Sequence, residues 1–371
     1  MSFPPIREEL RGIEPYGAPQ LSLEQAPVQL NVNENPYGPS AAAAADIATA
    51  VARAAMTLNR YPDREFTELR EGLAAYLNSS GGSGITPEMV WAANGSNEVM
   101  LQILQAFGGP GRTALSFAPT YSMYPEYARD AMTDWVVGHR AEDFSLDLDA
   151  ARDLVHRTRP SVVLLPSPNN PTGTALPPEA VSMLCDAAGD GIVVVDEAYG
   201  EFRRSGTPSA LELLPRHRNL VVSRTMSKAF ALAGARLGYL ATDPAICDAI
   251  RVVRLPYHLS AVTQATALAA LRHAPELLGR VDDLRGERDR TVAWLREQGL
   301  EVADSDANFV LFGRFAHRHA VWQGLLGHGV LIRETGPDGW LRVSVGTAEE
   351  MTAFKSALTI VMNTEPMRDN T

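Results

Sequence analysis

Between about residues 60 and 255, short apolar, β-branched runs alternate with segments of helical period. This alternation limits the fold more than any other feature of the chain. The runs are "MVWAAN" (89–94), "TALSFAP" (113–119), "SVVLLP" (161–166), "GIVVVDEAY" (191–199), "NLVVSR" (219–224) and "LGYLAT" (237–242). Between them lie stretches such as "NEVMLQILQAF", whose apolar residues recur at helical spacing. Continuous apolar runs imply strands buried on both faces, and their alternation with helices implies a mostly parallel sheet in an α/β domain. Further on the pattern changes to "NFVLFG", "GVLIRE" and "WLRVSVG" with helices between and after, which reads as a smaller α+β domain. We expect three parts: a Pro-rich arm over 1–40, a large domain over 41–260, and a small domain over 261–371 that packs with the arm. A length of 371 residues suits two cores.

In an open parallel sheet, ligands bind at the carboxyl ends of the strands, where loops and helix N-termini converge. Reading each run into its following loop gathers a set of polar groups. "MVWAA" leads to Ser96 and Asn97 at the start of a helix, a suitable cradle for phosphate. "TALSFAP" leads to Tyr121, and "SVVLLP" to "SPNNPTG" with the amide of Asn170. "GIVVVDEAY" ends in Asp196 and Tyr199. "NLVVSR" leads to Thr225, Ser227 and Lys228, with Arg236 following. Taken singly, each has an ordinary explanation as a cap, a turn or a solvated group. Together they place an amine, a carboxylate, a phenol, an amide, a flat ring and an anion cradle at one sheet edge.

Lysine is scarce here: of 33 Lys and Arg residues only Lys228 and Lys355 are lysines. Arginine can take over salt bridges and phosphate contacts, but its guanidinium stays charged and cannot serve as an amine nucleophile. The tally therefore singles out these two for amine chemistry, although a compositional bias explains it equally well. Lys355 lies in an amphipathic C-terminal segment and is expected to pair with a Glu.

Other chemistries find less support. The net charge of −11 and the lack of a basic stripe argue against nucleic-acid binding. The two cysteines, Cys185 and Cys247, form no CxxC pair, and the "HRH" at 317–319 does not share a helix face, so no metal site is expected. "AFGGPGRT" lacks the lysine of a P-loop, and no Gly-x-Ser-x-Gly elbow is present. The opening "MSFPPIREELRGIEPYG" has no apolar core for a signal peptide, and no run suits a membrane span. We expect a cytoplasmic protein without a membrane partner.

"NVNENPYGP", "RYPD", "SPNNPTG", "VVVDEAYGEF", "SRTMSKAFALAGARLGYL" and "LRVSVGT" resemble fold-type-I pyridoxal 5'-phosphate aminotransferases. Within that group they look most like histidinol-phosphate aminotransferases of the actinobacterial type. The resemblance spans about residues 10–365 and implies a mostly parallel, seven-stranded-type sheet flanked by helices. It implies that Lys228 binds the cofactor aldehyde and then carries the substrate α-proton. Asp196 would pair with the pyridine nitrogen, and a charge-assisted bond of ~1.5–3 kcal/mol would help keep that nitrogen protonated. Tyr199 and Asn170 would face the ring hydroxyl oxygen, and Tyr121 would stack on the ring. Ser96, Asn97, Thr225, Ser227 and Arg236 would hold the phosphate, joined by Tyr61 from a second subunit of a homodimer.

Arg333 and Arg342 resemble the family's anion-binding pair, able to serve a carboxylate or a phosphate. Asn35 and Tyr37 resemble the segment that closes over substrate, and Arg254 and Tyr257 are further possible lining residues. The implied reaction moves an amino group from histidinol phosphate to 2-oxoglutarate. Transamination of phenylalanine and decarboxylation of a phosphothreonine-type substrate are the alternatives left open by the shared motifs.

Overall fold

The computed structural model describes residues 6–15, 17 and 21–364. The strands in chain order are β1 (Val28–Gln29), β2 (Val90–Ala93), β3 (Thr113–Ala118), β4 (Asp134–His139), β5 (Val162–Pro166), β6 (Ile192–Asp196), β7 (Leu220–Thr225) and β8 (Gly238–Thr242). They are followed by β9 (Glu301–Val302), β10 (Phe309–Gly313), β11 (Val330–Leu331), β12 (Arg333–Glu334) and β13 (Leu341–Ser344). Strands β2 to β8 form one sheet in the order β2-β8-β7-β6-β5-β3-β4. Only β8 runs against its neighbours; the β3–β4, β3–β5, β5–β6 and β6–β7 pairs are parallel.

The central strands β5, β6 and β7 are buried at every position, as their continuous apolar runs require. Strand β4 was not among the sequence runs, and its environment explains why. It lies at the sheet edge with Asp134, Val137 and His139 exposed, so its composition is mixed. The reversal of β8 has a functional consequence. Its first residue, Gly238, lies in register with Ala93 at the end of β2 and Thr225 at the end of β7. The turn entering β8 therefore joins the loops leaving the other strands, and Arg236 comes to the same edge.

One apolar core packs on this sheet and extends from Phe66 to Leu277. A second, running from Leu30 and Val292 to Val361, packs on the antiparallel sheet β12-β13-β10-β9. The helix Ala274–Glu297 gives residues to both. Arm strand β1 pairs in parallel with β11, which ties residues near 28 to the C-terminal region. A smaller cluster, including Tyr199, Phe202, Ala229, Leu284, Phe309 and Val345, bridges the two sheets beneath the strand ends. Burying a side chain such as Phe309 stabilises by about 1.5–3 kcal/mol. Among the described residues, no helix is long and apolar enough to cross a membrane.

Candidate active site

A cavity of about 280 Å³ opens at the carboxyl edge of the large sheet, facing the small one. Lys228, Asp196, Tyr199, Asn170 and Tyr121 line it. So do Ser96, Asn97, Thr225, Ser227 and Arg236 at one end, and Arg333 and Arg342 at the other. Twelve expected groups thus meet in one space: the strand ends of the large sheet deliver ten to one edge, and β12 and β13 of the small sheet bring the two arginines to face them.

Lys228 is half-buried and its Nζ donates to the Val32 carbonyl at 2.9 Å. Burial, with the neighbouring charges of Arg342 and Arg236, pulls its pKa down to about 8 against the opposing pull of Glu34. An amine so placed is largely available in neutral form at mildly alkaline pH. Lys355, by contrast, pairs with Glu287 at 3.0 Å on the far helix face. Asp196 is buried, and burial pushes its carboxyl up to about 6. The Tyr124 hydroxyl at 3.1 Å and the Ala198 amide at 3.2 Å donate to it and oppose that rise. Among the described residues, Asp196 forms no ion pair. Its neighbour Glu197 differs: Arg203 and Arg224 hold it in a buried network, a structural role.

The "SPNNPTG" loop separates two adjacent asparagines by role. Asn169 is fully buried and builds the turn, donating to Pro119 O and Thr172 Oγ1 at 3.0 and 2.7 Å. Asn170 instead faces the cavity, and its Oδ1 accepts from Arg342 Nη1 at 2.5 Å. The same guanidinium donates to Asn31 O at 2.8 Å and lies 5.1 Å from the Phe309 ring centre. Arg333 stands directly opposite Arg342 in the β12–β13 register, so both reach the same side of the small sheet. Arg333 Nη2 donates to Gly17 O at 3.2 Å, while its buried Nη1 has no hydrogen-bond partner among the described residues.

At the other end, the helix Ser96–Phe107 begins after Gly95 with no side-chain cap. Gly95 has φ of 86°, and a Cβ there would run into the Arg236 guanidinium. Thr225 Oγ1 donates to Ser227 Oγ at 3.0 Å, and Arg236 Nη1 approaches that hydroxyl at 3.4 Å. Free amides, two hydroxyls and a guanidinium make an anion cradle.

Three expected residues lie elsewhere. Asn35 and Tyr37 line a neighbouring cavity of about 140 Å³. There Asn35 Nδ2 donates to Ala229 O at 3.3 Å, and Tyr37 packs under Arg280. Tyr61 is 80% exposed and stacks on Tyr257, ring centres 4.4 Å apart. Arg254, a further possible lining residue, instead pairs with Glu65 and lies over Trp91. The arm contributes Asn31, Val32, Asn33 and Glu34 to the main cavity, which the loop-by-loop reading did not find. Tyr124 was also missed; the only signal was a second tyrosine in "YSMYPEY".

Known proteins resemble this chain over nearly its whole length. The chain is 62% identical over 354 residues to the histidinol-phosphate aminotransferase of Thermobifida fusca, covering 95% of this chain and 94% of the relative. It is 54% identical over 362 residues to that of Mycolicibacterium smegmatis, covering 97% and 94%. The fold matches a crystal structure of histidinol-phosphate aminotransferase from Sinorhizobium meliloti in complex with pyridoxal-5'-phosphate. The TM-score is 0.85 at 25% identity, with 98% of each chain covered. Residues 26–358, which carry every group lining the cavity, match the family described as aminotransferase class I and II, and the chain belongs to that family.

Proposed function

We propose that this chain is a pyridoxal 5'-phosphate-dependent aminotransferase that passes the amino group of histidinol phosphate to 2-oxoglutarate. The observation that carries the reading is one readily neutralised amine, Lys228, and one buried carboxylate without an ion-pair partner, Asp196, facing the same cavity. The residues fit the cofactor. Ser96, Asn97, Thr225, Ser227 and Arg236 would hold its phosphate, Tyr121 its ring face, Asp196 its nitrogen, and Asn170 and Tyr199 its ring oxygen. When bound, the cofactor supplies an aldehyde for the amine and an electron sink for the substrate's Cα–H bond. Lys228 Nζ takes the proton from the substrate Cα. Asp196, ionised above pH 6, favours a cation opposite it in a dry site. Arg342, held by Asn170 and Asn31, orients the substrate anion, and Arg333 adds a buried N–H for the same purpose. Asn35 and Tyr37 belong to the arm segment that covers the substrate.

The same reading makes the enzyme a homodimer with shared sites. Tyr61, Tyr257, Met56, Leu58, Val252 and Leu255 are exposed apolar or aromatic side chains, several above 70%, and a second copy would cover them. Tyr61 would then reach the phosphate of the neighbouring subunit. A cytoplasmic setting agrees with two buried, unpaired cysteines.

Steady-state kcat/KM with 2-oxoglutarate as acceptor tests the substrate. Histidinol phosphate should exceed phenylalanine by at least ~10²-fold, as expected when built anion contacts go unused. A preference for phenylalanine would overturn the substrate assignment. Incubation with glutamate alone should yield 2-oxoglutarate stoichiometrically, whereas release of carbon dioxide would mark a decarboxylase.

A further inference from the structure

Tyr199 has a hydrogen-bonding partner behind it, and the direction of that bond is set by a second residue. Asn33, a buried arm residue with φ of 56°, has all its polar groups engaged. Its amide donates to Ser344 Oγ at 2.9 Å, and its carbonyl accepts from Asn308 Nδ2 at 3.1 Å. Its Oδ1 accepts from Ser344 Oγ at 2.9 Å, and its Nδ2 donates to the Tyr199 hydroxyl at 3.0 Å. Turning the side-chain amide over would leave the Ser344 proton without an acceptor among these bonds. Ser344 is buried, so such an orphan would cost about 1–3 kcal/mol. Ser344 therefore fixes the amide with its NH₂ toward Tyr199. A phenol oxygen that accepts from an NH₂ keeps its own proton for another partner, and the cavity lies on that side.

We infer that Asn33 is a positioning residue that turns the Tyr199 proton toward the ring oxygen of the cofactor, with Ser344 setting its orientation. The inference rests on the role given to Tyr199 above. It links three parts of the chain, since Asn33 lies in the arm, Ser344 on β13 and Tyr199 beyond β6. The charged groups that share the cavity with this phenol are Lys228, whose Nζ lies 6.0 Å from the ring centre, Asp196, Glu34, Arg236, Arg333 and Arg342.

The test is the pH midpoint of the visible absorbance of the holoenzyme, which rises when the ring oxygen loses a donor. Asn33→Asp keeps the shape but has only acceptors, so it draws the Tyr199 proton to itself. The midpoint should rise by about one unit, a tenfold change in proton affinity. Tyr199→Phe should raise it in the same direction, and adding Asn33→Asp to Tyr199→Phe should move it no further. Ser344→Ala, which frees the amide to turn, should raise it by less and serves where Asn33→Asp does not fold. Wild-type midpoints in both Asn33→Asp and Ser344→Ala overturn the inference. So does an Asn33→Asp shift of full size in the Tyr199→Phe background, because a bare charge effect would persist there. An unshifted Tyr199→Phe enzyme would remove the role of Tyr199 itself, and this inference with it.

Discussion

Asp196 and Lys228 are each held in the state least comfortable for an ionisable side chain without its ligand. Burial pushes the Asp196 carboxyl from its usual range up to about 6, so the cofactor-free protein binds an extra proton between about pH 4 and 6. Its stability should fall as pH rises through that window and stay lower above it. Asp196→Asn should then stabilise the cofactor-free protein at pH 7–8 by up to about 3 kcal/mol, read from thermal or urea unfolding. The same change should lower turnover by about 10²–10³-fold, as loss of a preorganised charge does. For Lys228 the shift is downward, to about 8, so the rate at which cofactor-free enzyme captures the aldehyde should climb with pH through 8. Lys228→Arg should show no capture at any pH. The lysine tally narrowed amine chemistry to Lys228 and Lys355, and only the position of Lys228 after a strand of the large sheet separated the two. Tyr124 and Asn33 were not legible in the sequence, since their hydrogen bonds reach partners 72 and 166 residues away.

The elements position the site through two features of strand direction. Parallel strands β3, β5, β6 and β7 bring their exits to one edge, and the single reversed strand β8 brings its entrance there too. Arg236 thereby packs against Gly95 at the head of the helix Ser96–Phe107. Gly95→Ala would force a side chain into a backbone region that essentially only glycine adopts, φ 86° and ψ 163°, at about 1–3 kcal/mol, and would displace that guanidinium. Weaker cofactor binding by roughly tenfold or more is expected, measured by dialysis or fluorescence titration. Most of the large sheet was readable from its apolar runs, because buried strands leave a continuous signature. Edge strand β4 was not, because half its side chains meet water. The two-residue strands β1, β9, β11 and β12 are too short to carry a period, although β12 sets Arg333 beside Arg342.

At the scale of the whole molecule, the proposed homodimer would cover the exposed Tyr61–Tyr257 stack and its apolar neighbours, and a single chain would then be an incomplete enzyme. Val252→Asp combined with Leu255→Arg should shift the protein toward monomers in sedimentation and lower its activity with them. Tyr61→Ala and Lys228→Ala chains, each impaired alone, should recover activity when refolded together. A mixed dimer contains one site with both residues intact, and no recovery would place Tyr61 outside the neighbour's site. The arm was read as an irregular extension, but its cavity-lining residues Asn31 to Glu34 gave no separate signal; only the folded chain brings them to Lys228. The most direct test of the account is borohydride reduction of the holoenzyme followed by peptide mapping. Cofactor fixed on Lys228, in the peptide containing "TMSKAF", is the expected result. Label on Lys355, or an active enzyme that carries none, would contradict it.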